Sequence, residues 1–408
     1  MAGVRGAVVE RVPDGPVPRI VVLIPAHDEA ATITATLQAL RSQTRQPDRV
    51  VVVADNCTDD TAALAAACGA EVFETVGNTD KKAGALNQAL QRRFRRTAST
   101  DRREGTEAPA WVARRGPDRR APQTVGGPDL GDDDLVLVMD ADTQLAPEFV
   151  AAAVESLVRS PRMGAAGGLF YGQPGAGLLG QLQRNEYTRY SREIGRTGRV
   201  MVLTGTGTMF RVRALRAVAE ARGSTLPGTH GQVYDTLALT EDNELTLALK
   251  TLGYRLTSPM ACAVVTEIMP TWGDLWRQRM RWQRGALENL RHYGWTRVTL
   301  RYWLQQVGMA FGVLAFQAYL AVMVLSFTIG TGPAFSWFWT AVGLVFVLER
   351  VVTVARGGRR AQALALPLLP EMAYDLFLQV VFVRSLLDVL RRREATWHHL
   401  APPAPVAA

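Results

Sequence analysis

From Arg19 the chain alternates short, uninterrupted runs of β-branched and aliphatic residues with stretches whose apolar positions recur at helical spacing. Ile20–Ile24 predicts a buried strand, and the stretch from about Glu29 to Leu40 a helix; Val50–Val53 and Asp59–Ala67 repeat the pair. Glu71–Phe73 predicts a third strand, Lys82–Arg96 a third helix, and Leu135–Met139 a fourth strand that ends at Asp140. Continuous apolar strands between amphipathic helices predict an α/β domain with a mostly parallel sheet covered on both faces. Such a sheet binds ligands at the carboxyl ends of its strands. The polar, proline-bearing residues 1–18 read as a flexible leader. Between Thr97 and Asp134 the periodicity gives way to an Arg-, Pro-, Gly- and Asp-rich segment, read as a flexible surface insertion in a domain covering residues 19–268.

Beyond about residue 300 the pattern becomes strongly apolar. Trp303–Ile329 carries no charge over 27 residues, more than the roughly 20 that a helix needs to cross a bilayer core. Phe335–Ala355 predicts a second span, joined to the first by the uncharged link Gly330–Ala334. Arg297 and Arg301 precede the pair, and Arg356, Arg359 and Arg360 follow it, which predicts a hairpin with both feet in the cytoplasm. A third piece, Ala363–Leu390, holds Pro367, Pro370, Glu371, Asp375, Arg384 and Asp388 and is followed by Arg391–Arg393. A packed span and an interfacial segment both fit it. Residues 269–301, with Trp272, Trp276 and Trp282, predict interfacial helices ahead of a membrane region at 302–393 and a tail at 394–408.

Composition narrows this picture in three ways. Of 408 residues, 48% are hydrophobic and 21% charged, which excludes a disordered chain and leaves room for a sizeable core. The net charge of +8 is the kind of excess that nucleic-acid binders show, but here it is arginine in the insertion and beside the apolar segments, so no nucleic-acid partner is expected. Cys57, Cys68 and Cys262 are odd in number and far apart, which argues against a disulfide framework and a zinc site. The first apolar run is short and closed by Pro25, unlike a signal peptide. A multi-pass protein of the cytoplasmic (inner) membrane, with its α/β domain in the cytoplasm, is the expectation.

The candidate chemistry lies at the strand ends. Asp140-Ala141-Asp142 follows the fourth strand, and two carboxylates at i and i+2 on such a turn can share a divalent cation with diphosphate oxygens. Asp55 ends the second strand, and Pro25-Ala26-His27-Asp28-Glu29 ends the first. No G-x-x-x-x-G-K-[ST] and no G-x-G-x-x-G after the first strand is present, so neither a P-loop ATPase nor a dinucleotide fingerprint applies.

IPAHDE, VVVADNCTDDT, KKAGALN, VMDADT, LTGTGTMF, LTEDNEL and QRMRWQRG follow one another between about Arg19 and Gly285. In that order they resemble the motifs of family-2 glycosyltransferases, above all the membrane-bound branch with cellulose, hyaluronan and poly-N-acetylglucosamine synthases. The resemblance implies a GT-A type nucleotide-sugar-binding domain followed by transmembrane or interfacial helices. It implies that Ala26, Glu29 and Asp55 grip the base and ribose and that Lys82 lies near the nucleotide. It implies that Asp140 meets ribose and donor sugar, that Asp142, with Asp140, holds Mg²⁺ or Mn²⁺, and that Asp242 is the general base. Thr204, Gly205, Thr206 and Glu241 would shape the pocket, and Gln278, Arg281 and Trp282 would form the Q-x-x-R-W motif at its acceptor end. The sequence departs from the family at Asp28, usually Asn, and at Ala54, often Asp.

These roles are chemically coherent. An inverting transfer needs a base near the incoming hydroxyl, a leaving diphosphate is stabilised by a cation and a guanidinium, and arginine clamps phosphate bidentately. Blander readings stand beside them: Glu241 and Asp242 as acids of a helix capped by Thr240, and Arg277, Arg279, Arg281 and Arg284 as a basic membrane-facing surface. The expected function is metal-dependent, inverting transfer from a UDP-sugar to a carbohydrate or lipid-linked acceptor in polysaccharide synthesis. The rivals are a non-processive glycolipid synthase and a non-catalytic, membrane-anchored nucleotide-sugar receptor. A transporter fits less well, because the apolar segments are few and show no repeat.

Overall fold

The computed structural model describes residues 17–93, 130–330 and 336–391. The chain begins with β1 (Ile20–Ala26), α1 (Ile33–Arg41), β2 (Arg49–Ala54), α2 (Thr61–Ala67), β3 (Glu71–Glu74) and α3 (Lys81–Arg93). It continues through β4 (Leu135–Val138), β5 (Gln144–Leu145), α4 (Phe149–Val158), β6 (Met163–Gly167), β7 (Leu169–Gly172), α5 (Gly177–Thr197), β8 (Thr208–Arg211) and α6 (Val212–Ala221). Then come α7 (Glu241–Thr251), β9 (Arg255–Thr257), β10 (Ala263–Thr266) and α8 (Trp272–Tyr293). The last helices are α9 (Thr299–Thr328), α10 (Trp337–Thr353), α11 (Gly358–Ala365) and α12 (Leu369–Leu390).

Seven strands form one sheet in the order β3-β2-β1-β4-β8-β6-β9, and β5-β10-β7 form a second, smaller one. The first four strands of the main sheet are parallel, whereas β8 runs antiparallel to both β4 and β6. The carboxyl ends of β1, β2 and β4 therefore share one edge. Because β8 is reversed, with Thr208 opposite Val138, the turn that precedes it reaches that same edge.

The period of two along a strand explains the uninterrupted apolar runs. In β1, Val21 and Leu23 belong to one buried cluster with α3, α6 and α7. Ile20, Val22 and Ile24 belong to the cluster on the opposite face with α1 and α4. Each such side chain contributes roughly 1.5–3 kcal/mol when fully buried.

The segment 97–134 divides at residue 130. Its first part lies outside the described residues, but 130–134 is packed rather than a loose surface loop. Leu130 is buried in the main core, and Asp134 accepts bonds from Arg19 Nε at 3.0 Å, Arg19 Nη2 at 2.7 Å and the Arg19 amide at 3.0 Å. Asp133 and Asp132 pair with Arg211 and Arg216. An acidic run whose partners are arginines elsewhere on the fold cannot be told from a solvated one by composition.

The apolar end differs from expectation in two respects. Among the described residues α9 is the one helix long and apolar enough to cross a membrane alone, and none of its most apolar stretch is buried. The second expected span is the 17-residue α10, which reaches spanning length only together with Ala355–Ala365, across a 49° bend. The third piece breaks around Pro367 into α11 and α12. Helix α12 lies against α8, with Phe377 edge-on to Trp272 and Trp276. Those two tryptophans, expected as interfacial anchors, thus serve the junction between α8 and α12. The acids of α12 face α5: Glu371, only 1% exposed, accepts from Asn185 and Arg189, and Arg350 bridges Glu371 and Asp375. At the other end of the α/β domain, Lys250 of α7 donates to the hydroxyl of Tyr302 in α9 at 2.7 Å and to the carbonyl of Val200 at 2.5 Å.

Candidate active site

At the shared strand edge Lys82, in the first turn of α3, places its Nζ 2.5 Å from Asp140 Oδ1 and 3.0 Å from Glu241 Oε1. Burial works against its charge, but Asp140, Glu241 and Asp242 outweigh it and hold the ammonium well above the usual lysine range. Burial alone would lift Glu241, yet Lys82 and Arg281 keep that carboxyl below its ordinary value. Asp242 is pushed up to about 6 by burial and by Glu241, against the pull of Lys82. Its Oδ1 accepts from the Asn243 amide at 2.7 Å and its Oδ2 from the Gly205 amide at 3.1 Å.

Gly205 is where these groups converge. A Cβ at this position would lie 3.1 Å from Lys82 Nζ, 3.5 Å from Asp242 Oδ2 and 3.8 Å from Asp140 Oδ2. Threonines hold the turn: Thr208 Oγ1 donates to the Thr204 carbonyl, Thr206 Oγ1 to Thr204 Oγ1, and Thr204 Oγ1 to the Gly168 carbonyl. Thr246 of α7 links the turn to the base candidate, accepting from the Leu203 amide and donating to the Asp242 carbonyl. Lys82, Thr204, Gly205, Tyr234, Glu241 and Asp242 line one small cleft. Tyr234 is set there by Asn87 of KKAGALN, whose side chain binds the backbone at Val233 and Tyr234.

Beside the cleft lies a group of acids. Burial, then Asp140, Glu267 and Glu29, push Asp142 up to about 7. Glu29 is also raised, by burial and by Glu267 and Asp140. All-oxygen donors of this kind suit a hard cation, and a carboxyl so destabilised by its neighbours is one whose charge a cation would restore. Glu267 is absent from the sequence-derived set. Its only signal is an acid just past a short apolar run, and β10, which carries it here, belongs to the second sheet.

The expected base-and-ribose residues cap β1 and β2. Buried Asp55 uses Oδ1 to accept from Asn56, Thr75 and Asn78, while its amide donates to the Ala26 carbonyl at 2.8 Å. Asp28 accepts from the amides of Thr58 and Asp59, and Cys57 Sγ donates to the Ala26 carbonyl. The strand-end turns are thus stitched to each other before any ligand arrives.

Helix α8 carries the Q-x-x-R-W residues. Arg281 lies within electrostatic reach of Glu241 and Lys81. Gln278 and Trp282 both touch Arg279, the first by a 2.7 Å bond and the second by a guanidinium 4.3 Å from the ring centroid. One face of the Trp282 ring therefore carries this guanidinium. Thr240 precedes α7 with no side-chain capping bond; its Oγ1 instead accepts from Asn289 of α8 at 3.2 Å. Thr240 thus stands at the N-cap position, with Glu241 and Asp242 in the first turn, but without the capping bond itself.

Residues 18–285 match the family model described as glycosyltransferase like family 2. Poly-beta-1,6-N-acetyl-D-glucosamine synthase of Staphylococcus aureus (strain COL) is 24% identical over 278 residues, 66% of this chain and 55% of that protein. The enzyme of the same name from Staphylococcus epidermidis is 22% identical over 280 residues, 68% and 56% of the two chains. The chain spans about half the length of these curated relatives. A solved mannosyltransferase, PcManGT from Pyrobaculum calidifontis in complex with GDP-Man and Mn²⁺, superposes with a TM-score of 0.54 at 17% identity, covering 92% of this chain and 88% of that one. That likeness is one of fold, and the fold is GT-A. With its motifs, sheet order and family match in agreement, the chain belongs to the family-2 glycosyltransferases.

Proposed function

We propose that the protein transfers a hexose or N-acetylhexosamine from a UDP-sugar to a carbohydrate or lipid-linked acceptor, with inversion, at the cytoplasmic face of a membrane. The observation that carries this reading is the convergence of Lys82, Asp140 and Asp242 on Gly205. It brings a cation for the donor side and a carboxylate for the acceptor side within one sugar's reach.

Asp242 is the base: it takes the proton of the incoming hydroxyl, whose oxygen bonds to the anomeric carbon as the bond to the diphosphate breaks. Held by two backbone amides, it is oriented before the acceptor arrives. Lys82 pairs with Asp140, keeps Glu241 ionised and draws the donor's negative charge to the cleft. Arg281, within electrostatic reach of Glu241, adds positive charge on the same side. Asp142 and Asp140 are the residues that would hold Mg²⁺ or Mn²⁺, with Glu29 and Glu267 adding negative charge nearby. Such a cation, when bound, would neutralise charge that builds on the leaving diphosphate. The exposed apolar surface of α9 supports insertion in a bilayer, with α10 and Ala355–Ala365 as a bent second crossing.

The test is a nucleotide-release screen in the presence of membranes, over UDP-glucose, UDP-galactose, UDP-N-acetylglucosamine, UDP-glucuronate and GDP-mannose. Release of UDP from one donor, lost in excess EDTA, is expected. Turnover of GDP-mannose alone would overturn the UDP assignment, and a product that keeps the donor's anomeric configuration would overturn inversion. Product length on a gel separates polymer synthesis from a single transfer to lipid.

A further inference from the structure

Arg279 sits between the two anchor residues of the Q-x-x-R-W motif and is only 5% exposed. Its Nη1 donates to Gln278 Oε1 at 2.7 Å, and its guanidinium lies 4.3 Å from the centroid of the Trp282 ring and 5.6 Å from that of Tyr187. Its Nη2 donates to Glu186 Oε2 at 2.7 Å, and the same oxygen accepts from the hydroxyl of Tyr374 at 2.5 Å. Tyr374 is a buried residue of α12, packed among α5 and α8 side chains. One planar cation therefore touches two side chains from α5, one from α8's preceding position, and one ring a turn further along α8. Trp282 itself is 36% exposed, so it is held from one side and open on another.

A plain structural explanation would have Arg279 neutralise Glu186. Charge alone does not account for the rest of the geometry. A guanidinium can stack on a ring while bonding in its own plane, which an ammonium cannot do. The Nε of Arg279 is buried without a hydrogen-bond partner among the described residues. Its placement thus favours the Gln278 and Trp282 contacts over full satisfaction of its own donors.

We infer that Arg279 is the positioning residue of the acceptor end of the site, orienting Gln278 and Trp282, and that Glu186 and Tyr374 fix Arg279 from α5 and α12. The inference rests on the glycosyltransferase reading for its kinetic consequence but not for its geometry. The device makes α12 part of the acceptor site without touching the acceptor, because loosening Tyr374 loosens Glu186 and then the guanidinium.

The experiment uses the full chain in detergent–lipid micelles, with UDP and Mn²⁺ for donor-side affinity, and UDP-N-acetylglucosamine with a short N-acetylglucosamine oligomer for transfer. Arg279→Gln should raise the acceptor KM by about ten- to a hundredfold, the worth of one charged hydrogen bond plus one cation–ring contact. UDP affinity should stay within about twofold, since the donor groups are elsewhere. Arg279→Lys should fail to restore the acceptor KM, while Glu186→Gln and Tyr374→Phe should raise it by smaller factors. An activity-free readout accompanies these: acrylamide quenching of Trp282, taken as the difference between each protein and its Trp282→Phe counterpart, should increase in Arg279→Gln. A parallel fall in UDP affinity, full rescue by lysine, or unchanged Trp282 quenching would each overturn the inference. If the wild-type protein transfers nothing, the functional reading fails, and the quenching comparison alone decides whether Arg279 holds the ring.

Discussion

Gly285 of α8 faces Thr240 so closely that a Cβ on the glycine would lie 2.5 Å from the threonine Oγ1 and 2.7 Å from its Cγ2. Thr240 immediately precedes Glu241 and Asp242, and Asn289, one turn beyond the glycine, bonds to its carbonyl and hydroxyl and to Asn243. The contact sets the distance between the helix carrying Gln278, Arg281 and Trp282 and the helix carrying the proposed base. A small residue here is a packing requirement of the site.

Gly285→Ala should therefore push the two helices apart. Overpacking of this kind costs about 1–3 kcal/mol, more than the roughly 0.8–1 kcal/mol that alanine returns in helix propensity. The expected outcome is a lower melting temperature and a larger loss of transfer. Thr240→Ala in the same chain removes both clashing atoms and should recover most of the stability. A single mutant as stable and active as the parent would show that α7 and α8 slide freely.

Asp242→Asn should reduce turnover by about 10²- to 10⁴-fold, the usual worth of general base catalysis, with donor affinity kept. Because the Asp242 carboxyl sits near 6 and only its ionised form accepts a proton, kcat/KM should fall as pH drops through about 6 and level off above it. A collapse of UDP affinity in calorimetry would instead place Asp242 in nucleotide binding.

Lys82→Met removes the one contribution of charge that lowers Asp242 and the partner of Asp140 and Glu241. The acidic limb of the pH profile should move upward from 6. Donor affinity should weaken by roughly ten- to a hundredfold, the scale of one charged hydrogen bond. An unshifted limb would mean that Lys82 does not sense the base.

Asp142→Asn tests the acid group in the absence of metal. A carboxyl raised from 3.8 to about 7 in the folded chain is disfavoured in its charged form, so the metal-free fold loses stability as pH climbs from about 4 through 7. The substitution should raise the metal-free melting temperature by a few degrees at pH 8 and hardly at all at pH 4. It should also abolish the stabilisation that Mn²⁺ is expected to give the parent chain. Scanning calorimetry at the two pH values, with and without Mn²⁺, reads both effects.

Much of this site could be read from local pattern. The strand-end acids Asp55 and Asp140 were legible because an apolar run fixes where a parallel strand stops, and the stop is where ligands bind. Lys82 and Asp242 came with recognisable motifs, and the structure brings them to one cleft. What was not legible depends on contacts between distant segments. Glu267 joins the acids only because β10 pairs with β5 and β7. Asp134 belongs to the fold only because Arg19 meets it across 115 positions. The docking of α12 on α8 left no sign in its own sequence, since Glu371 and Asp375 have their partners on α5 and α10.

Helix α7, 11 residues long, carries the proposed base in its first turn and Lys250 in its last, and that lysine grips Tyr302 in the opening turn of α9. Eleven helical residues make a strut about 16 Å long. Helix α9, at 30 residues, is about 45 Å long against a hydrocarbon core of about 30 Å, so in a bilayer it must lean or stretch its surroundings. The strut has no loop in it to absorb that lean. On the proposed insertion, bilayer thickness would act as a mechanical input to the site: lipids of different acyl length should change the rate of transfer while leaving UDP affinity at Lys82 and Asp140 untouched.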